Sequence, residues 1–244
     1  MLERKDRMLR LESLSCGYGE MTAVHGLDLE VPDSRITALL GANGAGKSST
    51  LMCIAGHVAV HEGRLFYREE DITRSSPMER VAAGIAVVPE GRRLFASLTV
   101  KENLVVGGYS RPKERSREGL DRFLEVFPRL GERLGQLAGS LSGGEQQMLS
   151  IGRAMMSEPK LLLIDELSLG LMPKIIDICY DAISELKENG LTILLVEQST
   201  QRALDVADQV CVLESGHSVW QGSAAEAKNN TEMIDALLGL KEKE

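Results

Sequence analysis

Three short segments carry side chains whose types and spacing suit phosphate chemistry. The first is Gly41-Ala42-Asn43-Gly44-Ala45-Gly46-Lys47-Ser48, which fits the pattern G-x-x-x-x-G-K-[ST] between a strand and a helix. Glycines there let successive backbone N–H groups converge on one concavity that holds phosphate oxygens. The helix that follows adds its positive end. Asn43, Gly44, Ala45 and Ser49 complete the expected cradle. Lys47 is expected to reach the β- and γ-phosphates, and the Ser48 hydroxyl to bind Mg²⁺. The second segment, Leu161 to Ile164, runs into Asp165 and Glu166. Asp165 is placed to hold Mg²⁺ through water, and Glu166 to orient or deprotonate an attacking water. Apolar strands often end in acids, so this pair takes its meaning from the glycine loop upstream. The third segment is Leu141-Ser142-Gly143-Gly144-Glu145-Gln146. Ser142 and Glu145 form a capping box that serves orphan N–H groups. Two glycines in a first helical turn cost stability, but they suit a phosphate that must approach the backbone closely. The chain thus has two expected phosphate-binding helix starts.

These residues need elements to position them. Ile36–Leu40, Ile85–Val88, Leu161–Ile164 and Thr192–Val196 are apolar runs that end in Gly41, Pro89-Glu90, Asp165-Glu166 and Glu197-Gln198. Strands this apolar are buried on both faces, which implies a parallel sheet covered by helices. Ligands of such sheets sit beyond the carboxyl ends of the strands, where these polar residues lie. Ile175, Cys179, Ala182, Ile183 and Leu186 keep helical spacing before a stop at Gly190. Between Arg92 and Pro159 no strand pattern occurs; Leu120, Phe123, Leu124 and Phe127 form a helical stripe instead. Leu9 to Val31 alternates and turns at Gly17 and Gly19, as a small β layer does.

Composition narrows the partners. The chain has 244 residues, 43 % of them apolar, and a formal net charge of −8, which supports a full core and argues against a mainly electrostatic nucleic-acid binder. Cys16, Cys53, Cys179 and Cys211 form no CxxC pair, which suits a reducing compartment and speaks against zinc. Met1 to Arg10 has no apolar core of a secretory signal. No apolar run approaches the roughly 20 residues of a membrane span.

The three segments, in this order and spacing, resemble the Walker A, signature and Walker B motifs of ABC ATPases, and the resemblance covers nearly the whole chain. It implies an α/β P-loop NTPase fold with a mainly parallel sheet, an N-terminal antiparallel β layer and an inserted helical lobe. One ATP-binding domain over residues 1–244 is expected, with 1–91 and 158–244 as core and 92–157 as the lobe. In that family two such domains pair head to tail, each ATP lying between one P-loop and the other signature helix. Ser142, Gly143, Gly144 and Glu145 would therefore serve the partner's nucleotide, and Tyr18 would stack on adenine. The chain departs from the family where Glu90 replaces a Gln that links Mg²⁺ and water, and where Gln198 replaces a His that contacts the γ-phosphate. It departs again at Leu167 and Met172, where a Pro and an interfacial Asp are usual. These changes put the rate of hydrolysis in question, although Gln can still donate to phosphate and a carboxylate can still bind Mg²⁺.

Pro89–Phe95, Leu98–Leu104, Leu141–Gln147 and Val196–Gln198 are similar to the ATP-binding subunits of bacterial branched-chain amino acid importers; urea and amide importers look alike. The resemblance implies ATP and Mg²⁺ as cofactors and a peripheral place on the cytoplasmic face of the inner membrane. It implies transmembrane permease subunits and a second ATP-binding subunit as partners, with a periplasmic binding protein acting indirectly. Leu94 and Phe95 would lie near the permease. A soluble ABC ATPase acting on ribosomes or nucleic acid, and a regulatory subunit that hydrolyses ATP only weakly, are the alternative expectations.

Overall fold

The computed structural model describes residues 6–109, 111–230, 234 and 236. Residues 1–5 of the charged N-terminal stretch, and most of 231–244 of the expected domain, lie outside the described residues. The chain opens with two long strands, β1 (Arg7–Tyr18) and β2 (Met21–Pro32), then β3 (Ile36–Gly41) and α1 (Lys47–Ile54). Next come β4 (Ala59–Tyr67), β5 (Glu70–Asp71), α2 (Pro77–Ala83) and β6 (Ile85–Val88). A helical stretch follows: α3 (Val100–Gly107), α4 (Lys113–Val126), α5 (Pro128–Gly131), a 3₁₀ turn at Ala138–Ser140, and α6 (Gly143–Met155). The chain then returns through β7 (Leu161–Asp165), α7 (Pro173–Glu188), β8 (Thr192–Glu197), α8 (Thr200–Val206), β9 (Gln209–Glu214), β10 (His217–Ser223) and α9 (Ala224–Asn229).

Two sheets result. One is antiparallel, in the order β2-β1-β4-β5; the other runs β10-β9-β3-β8-β7-β6 and is parallel except at β10. The parallel strands bury both faces, and their side chains alternate between two cores. Leu161, Leu163, Leu194 and Val196 join the core shared with α1 and the antiparallel sheet. Leu162, Ile164, Ile193 and Leu195 join the core shared with α6 and α7. This period of two explains why the runs read as apolar throughout. The α7 helix starts with Pro173 and is closed by Gly190 at φ 86°, so both boundaries follow from local backbone chemistry.

The fold is the α/β arrangement expected from the sequence, with an antiparallel layer at the N-terminal side and helices inserted between β6 and β7. The apolar stripe at Phe123 and Phe127 is buried, and Leu120 and Leu124 pack beside it. Four of the described helices start with a capping box: Ser76/Glu79, Thr99/Glu102, Ser142/Glu145 and Ser223/Glu226. A capping box by itself therefore does not set the Ser142 segment apart from the other helix starts. No helix among the described residues is long and apolar enough to cross a membrane.

Candidate nucleotide site

Strand β3 delivers Gly41 to the carboxyl edge of the sheet, and the loop 42–46 turns into α1 there. The turn needs glycine at Gly46, which caps α1 at φ 100°. A Cβ at Gly46 would also stand 2.9 Å from the Ala23 carbonyl oxygen, so both backbone conformation and packing exclude a side chain. Lys47 is buried, and its Nζ donates to the Gly41 and Ala42 carbonyls at 2.8 and 3.0 Å. Burial lowers its pKa, while Glu166, Asp165 and Glu197 pull it back up. The loop borders a cleft of about 500 Å³ lined by Asn43, Gly44, Gly46, Lys47, Ser48 and Ser49 on one side and by Glu90, Glu166 and Gln198 on the other.

The opposite wall comes from the ends of β7 and β8, which pair in parallel with Asp165 beside Val196. Asp165 is 2 % exposed and accepts a hydrogen bond from Ser48 Oγ at 3.0 Å. Burial pushes its pKa up to about 6, with Glu166 and Glu90 adding to the rise and Ser48 and Lys47 opposing it. A carboxylate this poorly solvated gains from a cation. Ser48, Asp165 and Glu90 offer only oxygen donors, the set that Mg²⁺ prefers, so the residues fit that ion. Just past Asp165, Glu166 takes a left-handed φ of 52°, and its N–H donates to the Val196 carbonyl at 2.9 Å. Its Oε1 accepts from Gln198 Nε2 at 2.5 Å. Glu166 and Gln198, 32 positions apart in sequence, thus meet at one sheet edge.

Other expected site residues lie away from this cleft. Tyr18 ends β1 at the tip of a hairpin, 53 % exposed, and does not line the cleft. Gly41 and Ala45 are buried behind the loop. Ser142, Gly143, Gly144 and Glu145 also lie outside the cleft lining, so within one chain the two helix starts are separate. The structure gives Gly144 a packing reason: a Cβ there would meet Ile175 Cγ2 at 2.4 Å. The glycine pair is therefore not explained by phosphate approach alone. Gly143 faces the Arg92 guanidinium, 3.3 Å from the place of a Cβ. Arg92 donates to Gln146 at 3.3 Å, and its carbonyl accepts from Ser150 and Arg153 at 3.0 and 3.1 Å. The loop after β6 is thereby fastened to α6. Phe95 is half exposed, with the Arg153 guanidinium 5.7 Å from its ring centre, whereas Leu94 packs against the core.

Of two further buried charged residues, Arg80 has no sequence signal, and Glu197 shows in the sequence only as an acid at a strand end, with no role. Arg80 is buried and donates only to main-chain carbonyls, among them Cys53 and Ile54 at the end of α1. Glu197, at the end of β8, is buried against Ser168 and Tyr180. An acid that continues an apolar strand was the one signal for it.

A P-loop facing two strand-end acids, beside a separate glycine-started helix on an inserted lobe, defines an ATP-binding cassette. The chain belongs to the ABC transporter family, whose model matches residues 24–168. It is 46 % identical to the high-affinity branched-chain amino acid transport ATP-binding protein BraG of Pseudomonas aeruginosa, over 95 % of this chain and 100 % of that protein. It is 38 % identical to the probable branched-chain amino acid transport ATP-binding protein LivF of Archaeoglobus fulgidus, over 96 % and 99 %. Among solved structures, a nucleotide-free ATP-binding cassette from an ABC transporter superposes with a TM-score of 0.87 at 28 % identity, covering 98 % of this chain and 100 % of that one. The ADP conformation of another such cassette gives 0.85 at 27 % identity, over 97 % and 99 %.

Proposed function

We propose that the chain is the ATP-hydrolysing subunit of an importer for branched-chain amino acids, a single cassette seated on permease subunits at the cytoplasmic face of the membrane. The observation that carries this reading is the meeting of Lys47, Ser48, Asp165, Glu166 and Gln198 around one cleft. Similarity to BraG and LivF supports the cargo.

In this reading the loop 41–46 and Lys47 take the phosphates of ATP, with the lysine leaving the Gly41 and Ala42 carbonyls for phosphate oxygens. Mg²⁺, held by Ser48 and Asp165 with Glu90 near, would offset phosphate charge. Glu166 orients a water for attack on the γ-phosphorus and takes its proton; the bond to the β–γ bridging oxygen breaks, leaving ADP and phosphate. Gln198 keeps the Glu166 carboxylate aimed and donates to the γ-phosphate. Because Ser142, Gly143, Gly144 and Glu145 stand apart from the cleft of their own chain, they serve the nucleotide of a second ATP-binding subunit paired head to tail, and Tyr18 packs on the adenine. Phe95, Val105, Val106 and Tyr109 are exposed along the loop and α3 and form the apolar face turned toward the permease.

The test is Glu166→Gln in the subunit paired with its ATPase partner and permeases. Turnover is expected to fall about a hundredfold or more, while ATP binding persists and the ATP-bound pair accumulates. Turnover at the native rate would refute the role of Glu166. Purification without permeases, on ribosomes instead, would refute transport.

A further inference from the structure

Strand β8 is apolar until its last residue. That residue, Glu197, is 1 % exposed, and an acid there costs solvation that an apolar residue would not. Its carboxylate is fully engaged. Oε1 accepts from the Ser168 N–H and from the Tyr180 hydroxyl, both at 3.0 Å, and Oε2 accepts from the Ser168 hydroxyl at 3.0 Å. Ser168 lies two residues after Glu166 and opens the turn that displays Leu169 and Met172 to solvent. Gln198, which grips Glu166, is the residue after Glu197. The loop is thus tied to β8 at two points, on either side of Leu167: Glu166 N–H to Val196, and Ser168 to Glu197. Between these ties Glu166 holds a left-handed backbone, a conformation that a residue with a Cβ keeps only when its surroundings enforce it.

We propose that Glu197 is a positioning residue for hydrolysis, clamping the loop that follows Glu166 onto the strand that presents Gln198 so that the two side chains meet. This rests on the roles given above to Glu166 and Gln198. Tyr180 braces the clamp from α7, and Ser168 is the loop residue it holds.

Steady-state hydrolysis by the paired subunit tests the clamp. Glu197→Ala removes every bond of the carboxylate and is expected to lower kcat about tenfold or more, with KM for ATP held within about twofold. Glu197→Gln presents an oxygen to the Ser168 N–H and Tyr180 hydroxyl and an amide to Ser168 Oγ, so it recovers most of the lost turnover. Ser168→Ala keeps the backbone bond and loses the hydroxyl bond; a smaller drop in kcat, with KM and the thermal midpoint unmoved, supports the clamp. That variant decides the matter if Glu197→Ala does not fold. Native kcat in Ser168→Ala and Glu197→Ala overturns the proposal. So does a joint loss of kcat, ATP binding and thermal midpoint, which marks plain structural support, and so does failure of Glu197→Gln to recover turnover. Glu166→Gln runs beside them. If it is active, the parent reading fails; if it is inactive while the clamp variants are native, only the clamp fails.

Discussion

At the scale of single residues, Arg80 ties the end of the P-loop helix to the segment before α2. Its guanidinium donates to Ser75, Cys53, Ile54, Ile72 and Thr73 carbonyls at 2.6 to 3.2 Å, and it meets no carboxylate among these. Two of the acceptors are the last carbonyls of α1, at the negative end of the helix dipole; Cys53 also accepts from the Gly56 N–H at 3.0 Å. Arg80→Leu would take the guanidinium from all five carbonyls; Cys53 and Ile72 would keep the Gly56 and Ser75 N–H groups, while Ile54, Thr73 and Ser75 would lose the donor they have from Arg80. We expect a loss of about 3 kcal/mol in urea unfolding, and only partial recovery in Arg80→Lys, whose point charge cannot span the five acceptors. A midpoint unchanged in Arg80→Leu would show that water replaces the guanidinium. Lys47, Ser48, Asp165 and Glu166 could be found in the sequence because their chemistry demands fixed neighbours. Arg80 could not, and Glu197 showed only as an acid ending an apolar strand, without its partners. Arg80 reaches carbonyls 26 and 27 positions away, and a main-chain acceptor leaves no trace in residue types. Ser168 and Tyr180, 29 and 17 positions from Glu197, are ordinary residues until the fold assembles them.

At the scale of elements, α6 is the hub of the inserted helices. A Cβ at Gly107 would stand 2.0 Å from the Arg153 carbonyl oxygen, and one at Gly152 would stand 2.1 Å from the Phe123 ring. Both α3 and α4 therefore press onto α6 at places where one residue has no side chain. Phe123 is buried and packs on Phe127 with ring centres 5.2 Å apart, so it has little room to give way. Gly152→Ala is expected to destabilise this layer by about 1 to 3 kcal/mol. Hydrogen exchange should rise first in α4 and α6, with β3 and α1 still protected; uniform exchange across the chain would mean that the layer does not open by itself. The helical stripe that forms this contact was legible from its spacing. The strands β4 and β10 were not, because each keeps an exposed face and lies outside the apolar parallel set. The capping boxes show the opposite failure: a legible signal at Ser142 that recurs at helices with no phosphate role assigned.

At the scale of the whole molecule, the order of the six-stranded sheet matters more than its composition. The apolar runs announced a parallel sheet, but nothing in them told which strands would be neighbours. The strand that carries the P-loop, β3, pairs with β8 on one side and β9 on the other. The core beneath it draws on Met8 and Leu11 as well as Cys211 and Leu213. Nearly the whole length of the chain therefore closes around one strand. A ribosome makes β3 early and its two neighbours late, so the P-loop strand spends most of synthesis with both edges bare. Such edges recruit other strands, and pairings this distant form slowly. Nascent chains arrested before Thr192 should be digested readily by a protease, whereas chains released past Ser223 should resist; early resistance would mean that the first half folds without its neighbours. A chaperone, or rapid translation, would then keep those bare edges from other strands until β8 and β9 arrive.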